Sequence, residues 1–245
     1  MIPVTAEDVA RERRGKLVRW LAAALLVMLA GWIVYKRINT PRDAREAYDT
    51  GMRLVKASRY DQAILNFNRT VDLQPDFAEA YRMRGRAYVA QSNPEQAIRD
   101  FTRLAELVPG DTLALVERGF ARLDTKDYAN AISDASRAIA LDPRLARAYN
   151  LRGTARRAAG DSRKAIEDFS QAVKLEPNLD NYFQRASTYQ RLGEHARAIA
   201  DFNKALEEDP NQPHIYYARA ASRAAVGDTA GAKADIATGQ KIDNF

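Results

Sequence analysis

Cysteine is absent from the 245 residues. That excludes disulfides, thiolate zinc sites, a thiol nucleophile and a lipidated N-terminal cysteine. Histidine occurs only twice, at His195 and His214, so imidazole-based metal sites and acid–base schemes are poorly supplied. The chain shows no glycine-rich phosphate loop, no nucleophile elbow and no carboxylate–histidine cluster. Its Asp and Glu residues recur at a fixed spacing, which marks a scaffold. The sequence therefore predicts no enzyme, no cofactor and no metal.

A net charge of +6 invites a nucleic-acid reading, but residues 1–40 hold seven basic and three acidic residues. Residues 41–245 are nearly neutral, with 31 basic and 29 acidic. A phosphate-binding surface needs a basic stripe, so no nucleic-acid partner is predicted. The excess lies beside an apolar run instead. Residues 20–35 carry no charge, and Leu17 and Val18 extend the run. At about 1.5 Å per residue, such a helix just reaches across a hydrocarbon core of ~30 Å. Arg19 is placed to snorkel, and Trp20, Trp32 and Tyr35 stand near the ends, where amphipathic rings favour the interface. The run ends without a small-residue cleavage pattern. The expectation is a basic tail over 1–16, an uncleaved transmembrane anchor over 17–37 and a linker over 38–43.

Five basic residues precede the span (Arg11, Arg13, Arg14, Lys16, Arg19) and four follow it (Lys36, Arg37, Arg42, Arg45). That bias favours a cytoplasmic N-terminus. The remainder is then extracytoplasmic, in the periplasm if the cell is Gram-negative.

The rest of the chain is periodic. An alanine recurs at Ala63, Ala97, Ala131, Ala165, Ala198 and Ala232, in steps of 34, 34, 34, 33 and 34 residues. A proline keeps the same beat at Pro75, Pro109, Pro143, Pro177 and Pro210. Twelve residues before each alanine stands Gly51, Gly85, Gly119, Gly153, Ala186 or Ala220. Four before that lies a column containing Tyr81, Tyr149, Tyr182 and Tyr216; four after the alanine lies one containing Phe67, Phe101, Phe169 and Phe202. Small residues let two helices approach, and the aromatics fill the space between them. A period near 34 predicts a helical solenoid with one helix pair per unit.

These columns resemble tetratricopeptide repeats over residues 44–245. The resemblance implies an all-α, right-handed superhelical solenoid of about six helix–turn–helix units: 44–77, 78–111, 112–145, 146–178, 179–212 and 213–245. Asn93, Gly160-Asp161 and Gly227-Asp228 offer turn and helix-start signals.

A further column pairs Arg84, Arg118, Arg152, Arg185 and Arg219 with Asp100, Asp134, Asp168, Asp201 and Asp235, sixteen residues on. The first unit has Thr50 and Asn66 instead, so both partners are missing together. Joint presence and absence favour an Arg–Asp bridge between the helices of a unit over a strip for ligands.

The resemblance also implies a concave groove lined by the first helix of each unit, cradling a peptide or partner helix. Its usual spacing places Tyr48, Met52, Arg82, Arg86, Val116, Phe120, Leu123, Asn150, Arg157, Phe183 and Tyr217 there. Val116, Phe120 and Leu123 form either an open contact patch or packing within a tightly curved solenoid. The arginines would favour acidic neighbours around an apolar anchor. The Lys/Asn carboxylate clamp of some relatives is absent.

The predicted function is a membrane-tethered interaction scaffold or adaptor, in envelope protein assembly or maturation. A cytoplasmic-facing adaptor and a scaffold self-associating through its solenoid ends, a homo-oligomer, are the rivals.

Overall fold

A computed structural model describes the backbone of residues 6–244 and the side chains of residues 20–33 and 40–244. Among the described residues all regular structure is α-helical, in twelve helices. The chain divides into two compact units, residues 1–80 and 81–245.

The first unit contains α1 (Ala6–Lys56) and α2 (Tyr60–Leu73). α1 is one continuous helix of 51 residues with Pro41 inside it. The expected linker over 38–43 is therefore helical: no glycine interrupts the span, and one proline kinks a helix without having to end it. The tail over 1–16 and the flanks of the apolar run lie outside the residues whose side chains are described. Between them, residues 20–33 expose their large apolar side chains, with Trp20 at 76% and Trp32 at 57% of full exposure. Among the described residues, no helix is long and apolar enough to cross a membrane. The described apolar stretch is too short on its own, and completing the expected span requires residues at both flanks. Farther along, Gly51 lets α1 meet α2 closely, since a Cβ there would come within 2.7 Å of the Phe67 ring.

The second unit is a series of helix pairs: α3 (Ala78–Ala90) with α4 (Pro94–Leu107), α5 (Thr112–Asp124) with α6 (Tyr128–Leu141), α7 (Ala146–Ala158) with α8 (Ser162–Leu175), α9 (Leu179–Arg191) with α10 (His195–Glu208), and α11 (Pro213–Ala225) with α12 (Thr229–Asp243). Helix starts follow local chemistry. Asp111, Asp127, Asp161, Asn178 and Asp228 each accept a backbone N–H from three residues on, satisfying donors left open in the first turn. Asn93 makes no such side-chain bond; α4 starts instead on Pro94, whose fixed φ suits the first helical position. Each proline of the beat falls two residues past the end of a second helix. The turn inside each pair needs a left-handed residue. Gly160, Gly193 and Gly227 supply it without strain, whereas Ser92 and Lys126 adopt φ of 56° and 61° at a cost of about 1 kcal/mol.

The recurring alanines are buried at every step. Over each glycine of the small column lies a large side chain. A Cβ on Gly85 or Gly153 would stand 2.8 Å from Phe101 or Phe169, and one on Gly119 would stand 2.4 Å from Leu151. The third case differs because Ala135 replaces the aromatic of its pair. Leu151, from the next first helix, takes that space and joins a cluster with Leu115, Val116, Ala135, Ala138 and Ala148.

The Arg–Asp column forms a ladder. Nε and Nη2 of Arg84, Arg118, Arg152, Arg185 and Arg219 each donate to the carboxylates of Asp100, Asp134, Asp168, Asp201 and Asp235, at 2.6–3.0 Å. This fork fixes helix register. Arg122, Arg156 and Arg223, one turn later, add a second guanidinium to three of these carboxylates. Four arginines also reach back to the preceding second helix. Arg118 donates to Thr102, Arg152 to Ser136, Arg185 to Ser170 and Arg219 to Asn203. From α5 on, the ladder thus ties each pair to itself and to its predecessor, as a stack of nearest-neighbour units requires.

Candidate functional site

The expected groove residues divide into three groups. Tyr48 and Met52 belong to the first unit. The Tyr48 ring lies 5.8 Å from Phe67 and 4.9 Å from Phe77, with the Arg45 guanidinium 5.3 Å above it. Met52 is half-buried.

Several of the others are committed to packing or to the neighbouring first helix. Val116 is fully buried, and Phe120 and Leu123 pack half-buried on the same cluster. Ala135 leaves room that α5 and α7 fill, so the apolar trio serves mostly as core. Arg82 pairs with Asp111 and, at 3.0 Å, with Glu117. Arg86 donates Nε to Oε1 of Glu117 at 2.6 Å. Glu117 is buried and both its oxygens are taken, so these arginines are not simply free for an acidic ligand. Asn150 donates to Asn181 at 2.8 Å. Arg157 donates to Gln184 at 2.6 Å and lies 5.4 Å over the Phe169 ring. Burial, with repulsion from Arg191, lowers its guanidinium from the ordinary value.

Phe183 stacks at a tilt on Phe202, 6.0 Å away, and meets His214 edge-on at 5.1 Å. Tyr217 turns towards α12: its hydroxyl donates to Asp243 at 2.6 Å, and its ring lies against Gly239. That hydrogen bond, with burial and the carboxylate's charge, raises the phenol above its usual value.

What stays open is a run of two clefts on the first helices. One, of about 420 Å³, is lined by Arg86, Val89, Phe120 and Arg147, among others. The second, of about 430 Å³, is lined by Asn150, Gln184, Glu176 and Asp180, among others. Phe120 and Arg147 border both, with the Arg147 guanidinium 5.4 Å over the Phe120 ring. Arg147, Asp124 and Asp180 were missed by the groove spacing. A helical signal exists for each: Arg147 and Asp180 stand three residues before Asn150 and Phe183, and Asp124 stands four after Phe120, so each shares a face with a groove residue. Among the described residues, no group of three or more His, Asp or Glu is arranged to hold a metal ion.

The sequence profile of the tetratricopeptide repeat family matches residues 48–112, 82–146 and 150–213, more than half of the chain. No protein of curated function matches it. Among solved structures, a MamA protein is 25% identical with a TM-score of 0.61, covering 71% of this chain and 93% of its own. TTC0263, a thermophilic TPR protein of Thermus thermophilus, is 22% identical with a TM-score of 0.60, covering 75% of this chain and 98% of its own. PilF of Pseudomonas aeruginosa is 14% identical with a TM-score of 0.68, covering 80% and 90%.

Proposed function

Since the chain belongs to the tetratricopeptide repeat family, we propose that it is a membrane-tethered interaction scaffold without catalytic activity. Its first-helix face takes a peptide or a partner helix, in the assembly or maturation of envelope proteins. The observation that carries this reading is the contrast between the two faces of the repeat. Second helices commit their recurring Asp residues to the internal ladder, whereas the first helices keep a run of open clefts.

The tether rests on residues 20–33. Nine large apolar side chains on that stretch of α1 are 49–76% exposed. Each would lose on the order of 1.5–3 kcal/mol by staying in water rather than entering an apolar phase. Leu17, Val18, Val34 and Tyr35 continue the apolar character in sequence. Lipid is the phase that accepts a helix apolar all round.

Alkaline carbonate extraction of the full chain, with impermeant maleimide labelling of an Asp228→Cys variant, tests this reading. The native chain has no cysteine, and Asp228 is exposed, so the reporter is clean. The expected result is a chain retained in the membrane pellet and labelled before inner-membrane lysis. Release into the carbonate supernatant would remove the tether, and labelling only after lysis would place the repeats in the cytoplasm.

A further inference from the structure

On the reading that the first-helix face binds a protein partner, we propose a partner of defined charge order. It is a segment that places an apolar side chain and an adjacent carboxylate over the cleft between α3, α5 and α7. A cationic residue follows towards α9.

The first part follows from which charges are already engaged. Glu117 lies in the wall of this cleft, but Arg82 and Arg86 occupy both its oxygens. It therefore repels an incoming carboxylate little. Arg86 is 48% exposed in its side chain and keeps Nη1 without a partner among the described residues. Arg147 is exposed and, among those residues, makes no hydrogen bond or ion pair; its described contact is the Phe120 ring. Two guanidiniums from two different helices thus converge on one cleft with donors to spare. A guanidinium seated on an aromatic ring still presents its fork of donors to a carboxylate. Among the described residues, Asp124 is the one rim anion without a partner there, so it weakens this attraction without cancelling it. Exposed Val89 and the half-buried face of Phe120 supply the apolar seat.

The second part follows from the change of sign beyond Arg147. The adjoining cleft is bordered by Glu176 and Asp180, with Asn150 and Gln184 in its wall. Asp180 is exposed and unpaired among the described residues, where Glu176 accepts a side-chain hydrogen bond from Asn178 alone. Both cleft linings therefore favour one orientation of a dipolar segment, and electrostatic order of this kind sets register and specificity more than affinity.

Panning a random 12-residue phage-displayed peptide library against the full chain in detergent micelles tests the proposal. The selected peptides are remade with a fluorophore and titrated by anisotropy. The expected consensus has Asp or Glu within two residues of Leu, Ile or Phe, and Lys or Arg further along. Arg147→Glu should weaken those peptides at least tenfold and select basic residues at the formerly acidic position. Asp180→Lys should erase the preference for the distal cation. Both sites are exposed, and an unchanged thermal midpoint verifies that each variant folds. Peptides that bind without this charge order, or equally well to Arg147→Glu, would overturn the inference and leave the groove reading standing. No enrichment over empty micelles would overturn the groove reading itself.

Discussion

Asp168→Ala is expected to destabilise the fold by about 3–5 kcal/mol, the cost of leaving buried charge without its partner. The Asp168 carboxylate is buried between two guanidiniums, those of Arg152 at 2.8 Å and Arg156 at 2.8 Å. Removing it leaves two cations facing each other where water is scarce. Because a repeat array is stabilised by nearest neighbours, the loss should be local. Amide hydrogen exchange should accelerate in α7 and α8 by about two decades or more, at about 1.4 kcal/mol per tenfold, while α11 and α12 change little. The ladder itself need not add net stability, since a buried ion pair costs its own desolvation. Asp168→Leu combined with Arg152→Met and Arg156→Met should therefore recover most of the loss. A triple variant as unstable as Asp168→Ala would mean that the charges are not the cause.

Phe169→Ala should cost a similar amount, about 3–5 kcal/mol. The ring is fully buried, lies over Gly153, and carries the Arg157 guanidinium on its face. The molecule already shows how such a hole is tolerated. Where Ala135 replaces the aromatic, Leu151 from the next first helix fills the space. The corresponding residue after Phe169 is Gln184, a polar side chain bonded to Arg157, which cannot fill an apolar cavity. Adding Gln184→Leu to Phe169→Ala should thus return about 1–2 kcal/mol in urea denaturation. A loss below about 1 kcal/mol for Phe169→Ala alone would contradict the packing account.

The period, the buried alanines and the joint presence of Arg and Asp made the helix pairs legible in sequence. Those features repeat, and six copies of one pattern identify the residues that face inward. The candidate site was less legible because it lies where the repeats differ. Ala135 pulls Val116, Phe120 and Leu123 towards the core, an effect set by one substitution in a different helix. Glu117 captures Arg82 and Arg86 from one position past the groove column. Beside Asp49 in the first unit, that column reads Met83, Leu151, Gln184 and Ala218, so no regular carboxylate announces Glu117. Arg147, Asp124 and Asp180 lie on the right face, but the spacing considered sampled only the middle of that face. Residues 38–43, expected as a linker, continue α1 because one proline is a weak stop in a segment without glycine.

Photocrosslinking in living cells tests the central claim most directly. Benzoylphenylalanine is placed at Ala158 or Ala221 on the first-helix face, and at Ala200 or Ala234 on second helices; all four are exposed. The account predicts discrete protein adducts from Ala158 and Ala221 that are absent from Ala200 and Ala234. Adducts confined to Ala200 and Ala234 would move the interaction to the opposite face and contradict it.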